Sequence, residues 1–413
     1  MSPERQRRLF LLASGLSTAG SFAGLTAKGW ILMQGSGNAL LLALHFAALA
    51  LPSLVASGPA GVLTDRVGCR TVLIRAQWGL FAAASLAALA IPLLAGPAQM
   101  IALLLSTLLV GVASTYELTA RNKYAALLVA DPEGLAPYLA SFSVVFNVGK
   151  MVGPPLGGWL VALTGPAGAL MIDAATYLLP IAAVLWLLSP DQRQEQRSAP
   201  GSGASLATAW RSCGPALRHV VRFTALSCLL GFFHPGLAPL IASRILGPTP
   251  QALGLFTSVL ACGSIGGGIL LQRNSAWLCQ RPGLLLGGCT LVTALAQLGM
   301  ALAIPEILGR LAVPMALMMS FLIGAGTASL LAGVNLISQV GAPMAIRGRM
   351  AGLGQIAFLG GGGLSGLLAA GITGLLGLPA CFALLGAGGL VLGILELIRR
   401  RGLRLGPTAL RSA

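Results

Sequence analysis

The sequence predicts an all-α membrane protein of twelve transmembrane helices arranged as two six-helix bundles, and three observations lead there. Hydrophobic residues make up 56% of the chain and charged residues 9%, a balance that exceeds the needs of a soluble core and fits polytopic membrane proteins. Apolar runs long enough to cross a bilayer recur along the whole length. A single extended polar gap, at 189–218, parts six of these runs from the other six.

The runs fall near 9–33, 38–63, 71–95, 98–120, 138–163, 167–188, 219–242, 250–272, 283–304, 307–335, 350–375 and 378–398. Arg5, Arg7 and Arg8 precede the first, which is longer than a signal-peptide core and lacks a convincing cleavage site, so it is expected to be a span. The expected organisation is a first bundle at 1–188, a flexible cytoplasmic linker at 189–218, a second bundle at 219–398 and a basic cytoplasmic tail at 399–413. With both termini cytoplasmic, all 26 Lys and Arg except Lys28, Lys150, Arg244 and Arg310 lie on the cytoplasmic side, as the positive-inside rule requires. A shift of 211 residues lays Pro132 on Pro343 and Leu139-Ala140 on Met350-Ala351. Two parallel repeats of this kind place a binding site at their interface near the membrane midplane.

The net charge of +16 does not indicate nucleic acid, because the basic residues sit in the short gaps between apolar runs instead of gathering with aromatics. Seven cysteines, with no C-x-x-C pair, suggest neither a disulfide frame nor a metal site. Nucleophile, base and orienting group do not converge, so no enzyme and no cofactor is expected. The expected partners are the lipid bilayer, a small-molecule substrate and a proton, with the chain acting as a monomer.

In the fifth run Gly149, Gly153 and Gly157 recur every four residues, putting a smooth face toward another helix, with Gly158 beside it. Pro154 removes a backbone hydrogen bond and is expected to bend the helix. Ser143, Asn147 and Lys150 form a polar stripe next to that face, and an ammonium at this depth is too costly to point at acyl chains. Lys150, with Asn147, is therefore expected to border a substrate cavity. Lys28, near the outer end of span one, is balanced between the cavity and snorkelling to the surface.

Between spans two and three stands Gly61-Val62-Leu63-Thr64-Asp65-Arg66-Val67-Gly68-Cys69-Arg70. Physically, Gly61 permits close helix approach, Asp65 accepts hydrogen bonds at a helix end, Gly68 makes a tight turn, and Arg66 and Arg70 hold the loop in the cytoplasm. The spacing resembles the G-x-L-x-D-R-x-G-R-K loop of the major facilitator superfamily, with Cys69 where a base usually stands. That resemblance implies a gating role for these residues. The glycine-proline run Gly149 to Gly158 likewise resembles the fifth-helix motif of that superfamily's exporters, which implies export. Ile172 to Tyr177 and Gln280 to Leu285 are similar to the branch of siderophore and macrolide exporters. The resemblance implies secondary transport in the bacterial inner membrane, driven by protons, with a siderophore or similar metabolite as preferred cargo. A multidrug or macrolide pump is the competing reading, and an uptake carrier for a siderophore or organic anion the third.

Other polar residues inside spans are weighed singly. Glu117 lies one turn from Arg121, so an i, i+4 ion pair competes with a proton-coupling role. Asp173, near the start of span six, is expected to cap a helix more than to couple protons. His45 and His234 are lone imidazoles for which a single hydrogen-bonded buried role is the commoner case; His45 is also a candidate for proton coupling and His234 a candidate for the substrate cavity. Asn335 is weighed as an inter-helix bond against a contact to substrate.

Overall fold

The computed structural model describes residues 3–129, 132–187, 210–274, 277–278, 280–303, 308–341 and 347–400. Every regular element among them is helical. In chain order α1 is Pro3–Ser36, α2 Ala39–Ala50, α3 Pro52–Val67, α4 Cys69–Leu93, α5 Gly96–Leu127, α6 Pro132–Thr176 and α7 Leu178–Ala182, which passes into a π-helical turn at Ala183–Leu187. The later elements are α8 Pro215–Gly231, α9 His234–Ile245, α10 Pro250–Arg273, α11 Pro282–Leu302, α12 Ala312–Gly341, α13 Arg347–Leu376 and α14 Leu378–Arg400. Most of the expected linker, and the tail beyond Arg400, lie outside the described residues.

Among the described residues, eleven helical stretches are long and apolar enough to cross a membrane. One of them, Val144–Leu185, has 42 residues, about 63 Å at ~1.5 Å per residue and twice the thickness of a hydrocarbon core. It is broken at Gly165, whose φ of 74° and ψ of 173° are not helical, so it supplies the fifth and the sixth crossing. The expected bend at Pro154 is not where the helix breaks: Gly165 is the non-helical residue inside α6. A residue without Cβ adopts positive φ freely, whereas proline only removes one bond from a helix that otherwise continues.

The described residues divide into two compact units. The first takes in the chain to Gly37, then Leu44 to Leu187, and Thr249–Leu255. Its main contact is α6 against α1, and the glycines explain how close it is. A Cβ at Gly149 would meet the Gly15 carbonyl at 2.9 Å and Thr18 at 3.1 Å, and one at Gly153 would meet the Ala19 carbonyl at 2.6 Å. Gly157 sits against Ala23 and Thr26, and Gly158 against Gly254. The four-residue step on α6 thus meets a four-residue step on α1 (Gly15, Ala19, Ala23), the small-residue packing that helices use where water cannot drive association. Near the basic loop, Phe10, Cys69, Tyr124 and Phe142 are buried in one apolar cluster, which is where the cysteine of the loop motif ends up.

The second unit comprises Asn38–Ala43, Trp210 to Pro248 and Phe256 to Arg400. Here α11 packs along α14 with Gly287 against Gly393 and Leu397, and Gly386 against Ala294. Span seven is discontinuous, since Phe232 and Phe233 separate α8 from α9. Pro235 has no N–H to offer the Gly231 carbonyl four residues back. Gln297 Nε2 fills that vacancy, donating to Gly231 at 3.2 Å and to Leu230 at 3.4 Å, the satisfaction that broken backbone needs inside an apolar bundle.

The glycine step makes a direct prediction. Gly153→Val should prevent α6 from seating on α1 and lower both the thermal midpoint in detergent and the amount of protein recovered from membranes. Gly61→Val, at a position with nothing within 4 Å of a Cβ, should leave both measurements near wild type.

Candidate functional site

α1 carries the polar surface around which the first unit's interior is built. Thr18 and Ser21 bond their own backbone, to Ser14 and Ser17, both at 2.8 Å, so these two hydroxyls are satisfied within the helix, while Ser14 Oγ has no partner among the described residues. Two clusters of charged groups face α1.

The first cluster gathers Glu117, Arg121, Gln77, Phe146 and Lys150. Arg121 Nη1 donates to Glu117 Oε1 at 3.1 Å, and Gln77 Nε2 donates to the same oxygen at 3.2 Å. The expected i, i+4 pair is present, yet it is not a solvated helix end: Arg121 and Glu117 are 4% and 6% exposed. Arg121 also lies 3.5 Å from Thr18 Oγ1 and 4.4 Å from the Phe146 ring centroid. The Lys150 ammonium approaches that ring at the same distance. One phenyl face-system therefore serves two cations, and the charges named here sum to +1. Asn147 is half-buried beside them, while the side chain of Ser143 is not among those described.

The second cluster lies toward the other end of α1. Lys28 is 2% exposed and its Nζ donates to Ser106 Oγ at 3.0 Å, which in turn donates to the Ala83 carbonyl at 2.7 Å. Snorkelling is thereby ruled out for this conformation. His45 Nε2 donates to the Leu25 carbonyl at 3.0 Å and its Nδ1 is 3.0 Å from Thr107 Oγ1, so the imidazole is fully occupied, as the simpler expectation had it. Asp173 corrects the sequence reading. It sits two turns beyond Gly165 within α6, not in a first turn, and so caps nothing. Its side chain is 2% exposed, rests against Gly24 of α1, senses the Lys28 charge and leaves Oδ1 without a hydrogen-bond partner.

At the loop, Asp65 Oδ1 accepts from Lys123 Nζ at 2.9 Å. Its partner is thus a lysine of α5 and not a helix terminus. Gly68 has φ 94° and ψ 138° and joins α3 to α4, a turn that any other residue would strain. Arg70 Nη2 donates to the Val184 carbonyl of the π turn at 3.3 Å, and Arg66 is exposed. Gly61 meets no neighbouring helix, contrary to the expectation of close approach there.

The second unit holds His234 and Asn335. His234 is 1% exposed and stands edge-on to Phe232 at 5.3 Å. It lies beside the Gly231 carbonyl, but neither ring nitrogen reaches hydrogen-bond geometry, so the expected bonded imidazole is not found. Asn335 is half-buried. Sequence reasoning missed His219 and Glu396, whose Nε2 and carboxylate oxygens are 2.9 Å apart, with Glu396 only 5% exposed. A lone acid in the twelfth apolar run was the available signal. Among the described residues no group of three or more His, Cys, Asp or Glu could hold a metal ion.

A chain whose described elements are all helical, whose crossings carry buried ionic clusters and whose second crossing is followed by a glycine-turned basic loop is a multi-pass membrane transporter of the major facilitator type. Over residues 2–406 the sequence matches the family model described as transmembrane secretion effector, and the chain belongs to that family. It is 26% identical over 420 residues to the multidrug efflux pump Tap of Mycolicibacterium fortuitum, covering 97% of this chain and 98% of the relative. To the multidrug efflux pump Tap of Mycobacterium tuberculosis it is 24% identical over 386 residues, 91% of this chain and 88% of that one. The fold is similar to a crystal structure of nucleoside transporter NupG, with TM-score 0.73 at 13% identity, covering 95% and 99% of the two chains.

The buried pair gives the second prediction. Arg121→Ala strands the Glu117 carboxylate and should destabilise the protein by about 3–5 kcal/mol. In Arg121→Ala with Glu117→Gln the thermal midpoint should recover part of that loss, because no uncompensated charge remains.

Proposed function

We propose that the chain is an exporter of drug-like small molecules in the bacterial cell membrane, with both termini cytoplasmic, working by alternating access and driven by proton entry. One observation carries the reading: the match to the secretion effector family along nearly the whole chain, with full-length relatives named multidrug efflux pumps. The packing of Gly149, Gly153 and Gly157 on α1 supports the same direction of transport, since the glycine-faced fifth helix is the feature that resembles exporters. In this reading the Asp65–Lys123 contact and the Gly68 turn belong to a latch made in one conformation and released in the other. The bridge is 52% exposed at Asp65 and 25% at Lys123, so its stability contribution is about 0–1 kcal/mol. A latch of that strength is compatible with repeated opening.

The two cations about Phe146 favour a second cargo, an anionic, oxygen-rich metabolite of the siderophore type, because they exceed the one acid paired with them. The readings separate in everted vesicles energised with a proton gradient. Accumulation of ethidium supports the drug-like cargo, and its absence, with secretion of a siderophore lost in a deletion strain, favours the metabolite. Faster entry of an iron chelate into intact cells carrying the protein would instead turn the direction to uptake.

Lys150→Ala should lower transport of an anionic substrate by about tenfold, the loss of one charge-assisted contact, and leave ethidium transport near wild type. Equal transport of both at normal protein level removes Lys150 from the ligand contacts. Asp65→Asn should shift the thermal midpoint by less than ~1 kcal/mol equivalent while lowering turnover severalfold, measured as the initial rate of ethidium efflux.

A further inference from the structure

We propose that Asp173 is the proton-carrying carboxyl of the transport cycle and that Lys28 is the fixed charge that sets its two states; this rests on the export reading above. The first unit buries two acids among its described residues, Glu117 and Asp173, and their surroundings are opposite. Glu117 accepts from both Arg121 and Gln77 on one oxygen. A proton arriving there would strand a guanidinium that cannot give up its own charge. Asp173 closes no salt bridge among the described residues, and Oδ1 accepts nothing. Lys28 is near enough to be felt, but its ammonium is anchored on Ser106 at 3.0 Å. The carboxyl can therefore gain or lose a proton without breaking a bond that the fold depends on.

The remaining groups around it fit that role. Gly24 is the residue of α1 that the carboxyl rests on, and a Cβ there would collide with it. Tyr177, one turn further along, is 1% exposed, and its hydroxyl lies beside the Ser21 hydroxyl and the Asp173 carboxylate without reaching full hydrogen-bond geometry with either. His45 on α2 senses Lys28 but has both nitrogens occupied. Lys28 of α1, Tyr177 between α6 and α7, His45 of α2 and Glu117 of α5 are thus the titratable groups around this site; Tyr177 and Lys28 interact with the Asp173 carboxylate, and none of the four closes a salt bridge with it.

The chemistry is one reversible proton binding. With the site open to the outer face, water delivers a proton to a carboxylate oxygen of Asp173, giving the neutral acid beside the Lys28 ammonium. With the site open to the cytoplasm, the O–H bond breaks, the proton passes to water and the carboxylate is restored. A bare carboxylate sealed in an apolar bundle costs several kcal/mol. The sealed intermediate therefore favours the protonated form, and water-exposed states tolerate the charge. Such a difference in proton binding between states is what couples a gradient to conformational change.

The test uses the full chain reconstituted in liposomes with ethidium as probe. In Asp173→Asn, accumulation driven by a proton gradient should fall about tenfold or more while ethidium exchange at equilibrium stays within about twofold of wild type, the pattern of lost coupling with intact alternation. Driven accumulation at the wild-type rate overturns the proposal. Loss of exchange as well, in protein with a normal thermal midpoint, also overturns it, because the carboxyl would then position or bind and not couple. Infrared difference spectra across a pH titration give a readout that needs no substrate. A protonated-carboxyl band should be present in wild type, absent in Asp173→Asn, and persist to higher pH in Lys28→Met, where the neighbouring positive charge is gone. A band unchanged in both variants contradicts the assignment. Wild-type vesicles that move no ethidium in either mode, with the band behaving as stated, count against the drug-export reading and leave the proton site standing.

Discussion

A charge inside an apolar bundle has to find its counterpart within the protein, since lipid offers none. The first unit meets this demand along α1. Thr18 of that helix stands 3.5 Å from Arg121, and Lys28 reaches Ser106 of α5. Gly15, Ala19 and Ala23 of the same helix are the steps on which α6 rests. The close seating of α6 is therefore also what holds Lys150 and Asp173, both on α6, at the depth of the α1 polar groups.

The same constraint is met by other means in the second unit. Span seven is interrupted, and Gln297 satisfies the Gly231 carbonyl that Pro235 leaves open, together with that of Leu230. Glu396 is matched by His219. Only His234 lacks a counterpart among the buried histidines. Backbone interruption held by a side-chain amide from a neighbouring helix is the arrangement by which irregular structure survives at membrane depth.

Much of the architecture was legible in the sequence because lipid imposes so coarse a rule. Span length and apolarity located the crossings, and the four-residue glycine period on the fifth located a packing face whose partner proved to be α1. Where reading failed, the cause was three-dimensional. Pro154 looked like a bend, and spacing gave no sign of the break between the fifth and sixth crossings at Gly165, whose positive φ is a state it does not encode. Asp173 looked like a cap because its helix was assumed to begin near it; the true break lies two turns earlier. Lys28 was balanced between the surface and the interior until Ser106, far away in sequence, supplied a buried partner. Gly61 looked like an approach point and faces open space. The ion pairs were half legible: Glu117–Arg121 follows from i, i+4 spacing, whereas His219–Glu396 joins residues 177 apart, which no local pattern reveals.

The account depends on the buried ionic groups bordering a passage that water enters from alternate sides. Cysteines placed at 147 and 150 in a cysteine-free, transport-active background test this through their reaction with small, membrane-impermeant thiol reagents. The account predicts labelling from each side of the membrane, with substrate shifting the balance between the two. Absence of labelling from both sides in active protein would contradict it.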